Sequence, residues 1–219
     1  MNTEIGASGT GDDAVLLLQA LRDGMTLAGE PRHAVPAFLI AHGCPATARH
    51  CAAVADEARR IAALVGADAD AAERAGWFHD VSAIVPTAGR VAAAHTLGVD
   101  ILPEEAAFPM ILHQKLSAVL ARDLFGERND AVLSAIGCHT TLKVAASTLD
   151  TVVFVADKVA WDQPGVPPYR DALLAALAPS LDAAALVYLD YLRERRATLG
   201  VIHPWLQAAY QERCERNVR

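Results

Sequence analysis

Apolar residues recur three and four positions apart through most of this chain, the spacing of buried helical faces. Residues 12–23, DDAVLLLQALRD, predict a first helix, with acidic residues at its start and Gly24 after it. A second, near 34–42, ends at His42-Gly43. Pro45 suits a first helical position, and over 46–65 His50, Val54, Ala58, Ile61 and Val65 share one face before Gly66 stops the helix. Further helices are expected at 69–82, 87–98, 111–125 and 129–140. Pro86 and Gly89 break the chain after the first of these, and a loop runs through Pro103 and Pro109. Ser147, with Asp150 three residues on, predicts a helix over 148–162. Two last helices are expected at 170–198, broken at Pro179, and at 204–216, opened by His203-Pro204.

No stretch alternates as a half-buried strand does. TVVFVADKV (151–159) is β-branched and ambiguous, but its length and start signal favour a buried helix. The expected fold is all-α. Residues 1–34 read as an N-terminal extension, disordered over the Gly/Ser/Thr-rich 1–11 and then helical. Residues 35–219 read as a single helical domain.

Composition narrows the partners. Apolar residues make up 53% of the 219, much of it Ala, which favours closely packed helices around a sizeable core. A formal net charge of −7 repels long polyanions and argues against a nucleic acid polymer. Cys44, Cys51, Cys138 and Cys214 form no CxxC pair, and the N-terminus lacks a secretory pattern. Reduced thiols and a cytoplasmic location are the expectation. The most apolar run, 172–189, is cut by Pro179, Ser180 and Asp182, so no membrane span is expected.

Against this background six polar residues stand inside apolar helical segments: His50, His79, Asp80, His113, His139 and Asp157. A lone histidine on such a face is ordinarily a satisfied core residue. An unpartnered buried polar group costs on the order of 2–7 kcal/mol, and a charge more. Six together are explained by a binuclear metal centre. Imidazole and carboxylate donors suit Fe, Mn, Co or Zn. An Asp can bridge two ions while an adjacent His binds one. Adjacent residues on a helix point about 100° apart, so such a pair works best at a helix end.

The ordered set His…His-Asp…His…His…Asp resembles the HD superfamily of metal-dependent phosphohydrolases. More narrowly it resembles the bacterial symmetrical diadenosine tetraphosphatases of that superfamily. The matching stretches are TARHCAAVADEARRIA, AGWFHDVSAIVP, ILHQKLSAVLARDLFG, AIGCHTTLK, LDTVVFVADKV and VIHPW, spread over residues 35–215. The resemblance implies an HD phosphohydrolase domain over 35–219. His50, His79, Asp80 and Asp157 would hold one ion, and Asp80, His113 and His139 the other. Iron is the metal most expected. The substrate would be a small nucleotide or other phosphorylated molecule, with diadenosine tetraphosphate giving two ADP. A homodimer is left open.

The chain departs from the resembled pattern around the expected phosphate contacts. Ala83 stands where a Lys is usual, Gln114-Lys115 where Gly-Pro is usual, Leu142-Lys143 where Gly-Arg is usual, and Thr47 where an Arg is usual. Lys115 and Lys143 are candidate replacement cations and, with Asp80, the candidate catalytic residues; the alternative for each lysine is a solvated surface position. Lys158 reads as a surface residue or as packing beside Asp157. Trp161 reads as a base-stacking residue or as core. Ser82 reads as a helix-end hydroxyl on backbone, Cys51 and Cys138 as small core residues, and His203 as a helix cap. Two other readings of the set are a di-iron oxygenase and a non-catalytic nucleotide sensor.

Overall fold

The computed structural model describes residues 11–22 and 24–217. Among the described residues, twelve α-helices follow in chain order: α1 Gly11–Arg22, α2 Pro31–Ala41, α3 Pro45–Val65, α4 Ala69–Phe78, α5 Arg90–Thr96, α6 Pro103–Ala107, α7 His113–Asp123, α8 Asp130–Cys138, α9 Thr148–Val159, α10 Arg170–Leu177, α11 Leu181–Glu194 and α12 Pro204–Asn217. Short 3-10 turns occupy Val81–Ile84, Thr87–Gly89 and Pro109–Leu112. The described residues contain no strand. The disorder expected for 1–11 lies outside the described residues, apart from Gly11, which opens α1.

Local chemistry sets the helix starts. Pro45 is the first residue of α3, and Gly66 closes it at φ 71°, in the left-handed region. Asp68 caps α4 by accepting from the Asp70 and Ala71 amides. Asn129 does the same for α8. Ser147 and Asp150 form the expected capping box of α9.

Tertiary packing decides the rest. The β-branched run resolves as helix α9, buried from Leu149 to Ala156, because a helix at the centre of the bundle is covered on all sides. Along one side of it runs α3, whose Val54, Ala58 and Ile61 are fully buried. Against α3 packs α4, whose Gly76 approaches the Ala55 backbone so closely that an added Cβ would sit 2.5 Å from Ala55 Cα. Leu18 and Leu21 of α1, and Ala184, Leu189 and Ala209 of α11 and α12, join the same core.

Several expected helices are shorter than their apolar pattern. The 69–82 segment ends at Phe78 and 129–140 ends at Cys138, while 111–125 begins as a 3-10 turn. α6 falls in what reads as loop. The segment 170–198 is two helices separated at Ala178–Ser180, as Pro179 predicts.

A buried ionic network fastens α6, α7 and the start of α12. Glu105 is fully buried. It accepts from the Leu102 amide at 2.9 Å and from Lys115 Nζ at 2.7 Å. His203 Nδ1 accepts from the Trp205 amide, so its Nε2 carries the proton that faces Glu105 at 3.1 Å. His203 thus caps α12, as expected, and also pairs Glu105. We expect Glu105→Ala to cost about 3–5 kcal/mol at neutral pH, read by urea unfolding, because it takes the buried carboxylate away from both the largely buried Lys115 ammonium and the His203 ring. Burial would raise the Glu105 carboxyl, but His203, the Leu102 amide and Lys115 outweigh it and hold it below its ordinary value. A depressed carboxylate contributes fully above its unfolded pKa and loses that contribution as pH falls through the folded one. The gap between wild type and variant therefore narrows below about pH 4.

Candidate metal centre

The six polar residues converge from five helices. His50 comes from the buried face of α3 and Asp157 from the last turns of α9. The other four sit at helix ends. His79 and Asp80 directly follow α4, His113 opens α7, and His139 directly follows α8.

The helix ends fix the rings. A helix leaves its last carbonyls without intrahelical partners. His79 Nδ1–H donates to the Gly76 carbonyl at 2.8 Å, and His139 Nδ1–H to the Ile136 carbonyl at 2.8 Å. His113 Nδ1–H donates to the Met110 carbonyl, in the preceding 3-10 turn, at 2.6 Å. Carbonyl oxygens only accept, so each Nδ1 carries the proton and each Nε2 presents a lone pair.

Those lone pairs point at one another and at the two carboxylates. His113 Nε2 and His139 Nε2 lie 3.0 Å apart. His79 Nε2 is buried without a hydrogen-bond partner. Asp80 divides its two oxygens, with Oδ2 3.6 Å from His79 Nε2 and Oδ1 3.5 and 3.6 Å from His113 and His139 Nε2. Asp157 Oδ1 lies 3.0 Å from His50 Nε2 and 3.7 Å from His79 Nε2. Two donor triplets, His50/His79/Asp157 and His79/Asp80/His139, each have ligand atoms within 4.8 Å of one another. The Asp80 side chain is 25% exposed and Asp157 16%, so the cluster is open on its carboxylate side.

The donor set fits divalent cations. Facing imidazole lone pairs at 3.0 Å repel unless a cation or a proton lies between them. A proton is disfavoured because burial lowers the pKa of His113 and His139, and that of His79 to about 4. Burial would raise Asp80, but His79, His139 and His113 outweigh it and hold it ionised well below the usual carboxylate range. Asp157 is likewise held low, against burial, by Lys158, His50 and His79. His50 differs from the other imidazoles: burial would lower it, but the hydrogen bond to Asp157 and the nearby carboxylates raise it.

Other residues support these. Gln114 Oε1 accepts from the Thr140 and Thr141 amides at 3.1 and 3.3 Å, and Gln114 Nε2 donates to Thr141 Oγ1 at 3.1 Å, which sets the turn after His139. Thr140 Oγ1 sits 2.9 Å from His113 Nε2. Arg90 Nη1 donates to the same Met110 carbonyl that orients His113. Lys158 is buried, bonds the Asp157 carboxylate and donates to the His139 carbonyl at 3.3 Å. It packs beside Asp157 rather than on the surface. The sequence reading missed the roles of Gln114, Thr140 and Arg90; for the first two, adjacency to a ligand histidine was the available signal.

Lys115 and Lys143 are not brought into the cluster. Lys115 Nζ is held by Glu105 and by the Asp100 carbonyl, over the Trp205 ring. Lys143 Nζ is held by Ser134 Oγ at 2.6 Å and faces Asp150 at 3.4 Å. Both act as ties between elements, and we assign them no phosphate contact. Trp161 is 39% exposed, edge-on to Tyr169. Ser82 Oγ donates to the His113 carbonyl at 2.9 Å, the expected backbone role. Cys51 and Cys138 are buried free thiols, their pKa pushed up by burial, and so are packing residues.

Comparison with known proteins decides the family. The model of the HD domain matches residues 47–162, more than half of the chain. The chain belongs to the HD domain family. HD domains bind divalent metals, and membership places the chain among metal-dependent hydrolases. A Lactococcus lactis subsp. cremoris protein described as "Uncharacterized protein in pepC 5'region" is 44% identical over 138 residues, 63% of this chain and 70% of that protein. A Mycoplasma pneumoniae protein, "Probable nicotinate-nucleotide adenylyltransferase/Ap4A hydrolase", is 32% identical over 111 residues, 51% of this chain. The HD chain spans only 31% of that Mycoplasma protein's length. A crystal structure of an HD superfamily hydrolase from Clostridium acetobutylicum, described as involved in NAD metabolism, superposes with a TM-score of 0.74. At 23% identity, covering 83% of this chain and 96% of that one, it supports the HD fold. No helix among the described residues is long and apolar enough to cross a membrane.

Proposed function

We propose that this HD protein is a phosphohydrolase of small nucleotides whose six His and Asp residues hold a pair of divalent ions. The observation that carries this reading is the 3.0 Å approach of the His113 and His139 Nε2 atoms, both Nδ1 protons being committed to carbonyls. His50, His79 and Asp157 would hold one ion, and His113 and His139 the other, with Asp80 between them. Iron is the expected metal, and Mn, Co or Zn suit the same donors. Ions held there would ionise a water near neutral pH and offset charge on phosphate oxygens.

The chain's own groups do the rest. Asp80 and Asp157 supply permanent negative charge against the cations. The three Nδ1–H bonds to carbonyls hold the rings in place. Lys158 offsets part of the Asp157 charge, and Thr140 offers a hydroxyl beside His113. The Mycoplasma relative's description as a probable Ap4A hydrolase supports diadenosine tetraphosphate as the first substrate to test, with two ADP as the products we propose.

The test is a nucleotide screen on metal-loaded protein, read by chromatography. ADP release from diadenosine tetraphosphate is expected. Full metal content with no product from any nucleotide, or oxygen consumption in place of hydrolysis, would contradict the proposal.

A further inference from the structure

A cleft of about 360 Å³ opens beside the metal cluster. Two of its lining residues connect it to the site: Thr140, 2.9 Å from His113 Nε2, and Tyr188, whose ring faces Lys158 Nζ at 5.2 Å. Thr141, Thr198 and His203 add polar groups to the lining, and most of the remaining wall is apolar, including Phe108, Met110, Leu199 and Ile202. Phe108 and Met110 are 37% and 40% exposed, large side chains left open to solvent.

The floor is unusual in its backbone. Residues 199–202, between α11 and α12, are in no helix. Among the described residues, their amides and carbonyls have no hydrogen-bond partner within the chain. Gly200 lies against the Phe108 ring, where an added Cβ would sit 3.3 Å from two ring carbons. The cleft therefore combines mostly apolar walls, an aromatic ring and a lining loop whose backbone groups are not spent on bonds within the chain. A planar heteroaromatic ring uses all three, its faces on the apolar walls and its edge on the backbone. An aliphatic chain would leave the backbone groups unpaired, at a cost.

We infer that this cleft takes the nucleobase of the substrate, with Phe108, Met110, Leu199 and Ile202 as specificity-determining residues. This rests on the nucleotide reading above and adds to it where the base is read. It places base recognition here rather than at Trp161, which does not line the cleft.

The experiment is calorimetric titration of ADP and of inorganic pyrophosphate into metal-loaded wild type, Phe108→Ala and Ile202→Glu. Phe108 is partly exposed already, so its truncation leaves the core intact; thermal melts check Ile202→Glu. Both variants are expected to weaken ADP binding by about tenfold or more while pyrophosphate affinity moves by less than about twofold, since pyrophosphate carries no base. Equal losses for both ligands, or an unchanged ADP affinity, would overturn the inference. So would loss of self-association in Ile202→Glu with ADP binding intact, which would give the cleft to a second copy of the chain. Because the titration reads binding, its failure is distinct from failure of the hydrolysis screen.

Discussion

Asp80→Ala is expected to empty both metal positions together and to reduce hydrolysis by roughly three orders of magnitude or more, at or above the scale of losing one preorganised electrostatic group. The reason is the division of its carboxylate. One oxygen faces His79 and the other faces His113 and His139, so the carboxylate spans the two halves of the cluster. Removing it also leaves three imidazoles around a vacated anion, and each further cation would then face uncompensated charge. Elemental analysis alongside the turnover assay checks this. Lys143→Ala is the contrast. Its ammonium is tied to Ser134 and Asp150, away from the cluster, so full metal content is expected. An Asp80→Ala protein that keeps its full metal complement would remove the bridging role.

Gly76→Ala is expected to destabilise the protein by about 3 kcal/mol, at the upper end of ordinary overpacking, and to lower metal content with it. The new methyl would meet Ala55 Cα at 2.5 Å, Ala55 N at 2.8 Å and the Val54 carbonyl carbon at 3.0 Å. All three are backbone atoms of α3, so no rotamer change relieves the clash and α4 must move away. That movement carries the Gly76 carbonyl, which orients His79, and His79 itself. Gly137→Ala on α8 is the control. There the nearest atom is Ala118 Cβ at 3.8 Å, an ordinary contact. Replacing a helical Gly by Ala is expected to stabilise by about 0.5–1 kcal/mol. Urea unfolding of the two variants should move in opposite directions.

The all-α fold was legible in the sequence because capping residues and helical periodicity agree at α3, α8 and α9. The cluster was legible because each of its six polar residues interrupts an apolar segment. The expected boundaries near 82, 111 and 140 already set four of them close to helix ends; what the pattern concealed was the exact boundary, since α4 and α8 stop directly before His79 and His139 and α7 opens at His113. Apolar periodicity runs through 69–82 and 129–140 without a break, while the termination comes from the local bonds of His79 and His139 to carbonyls three residues back. The fates of Lys115 and Lys143 were hidden for a different reason. Their partners Glu105 and Asp150 are buried by contacts between helices, which no local spacing announces. The Leu142 position shows how a departure can be misread. The resembled enzymes carry Gly there, and Leu142 adopts φ 58°, in the left-handed region that favours Gly. Its side chain is fully buried, and that burial offsets the backbone strain of about 1–2 kcal/mol. The change at this position concerns the chain's path after His139 rather than a phosphate contact.

The most direct measurement is the ratio of divalent metal to protein in chain purified without added metal or a metal-binding tag, and again after reconstitution with Fe, Mn, Co or Zn. About two ions per chain, falling together in Asp80→Ala, is the predicted result. No bound metal under any of these conditions would contradict the account, and would mean that the His113–His139 contact is closed by a proton and that the six residues are a satisfied polar core.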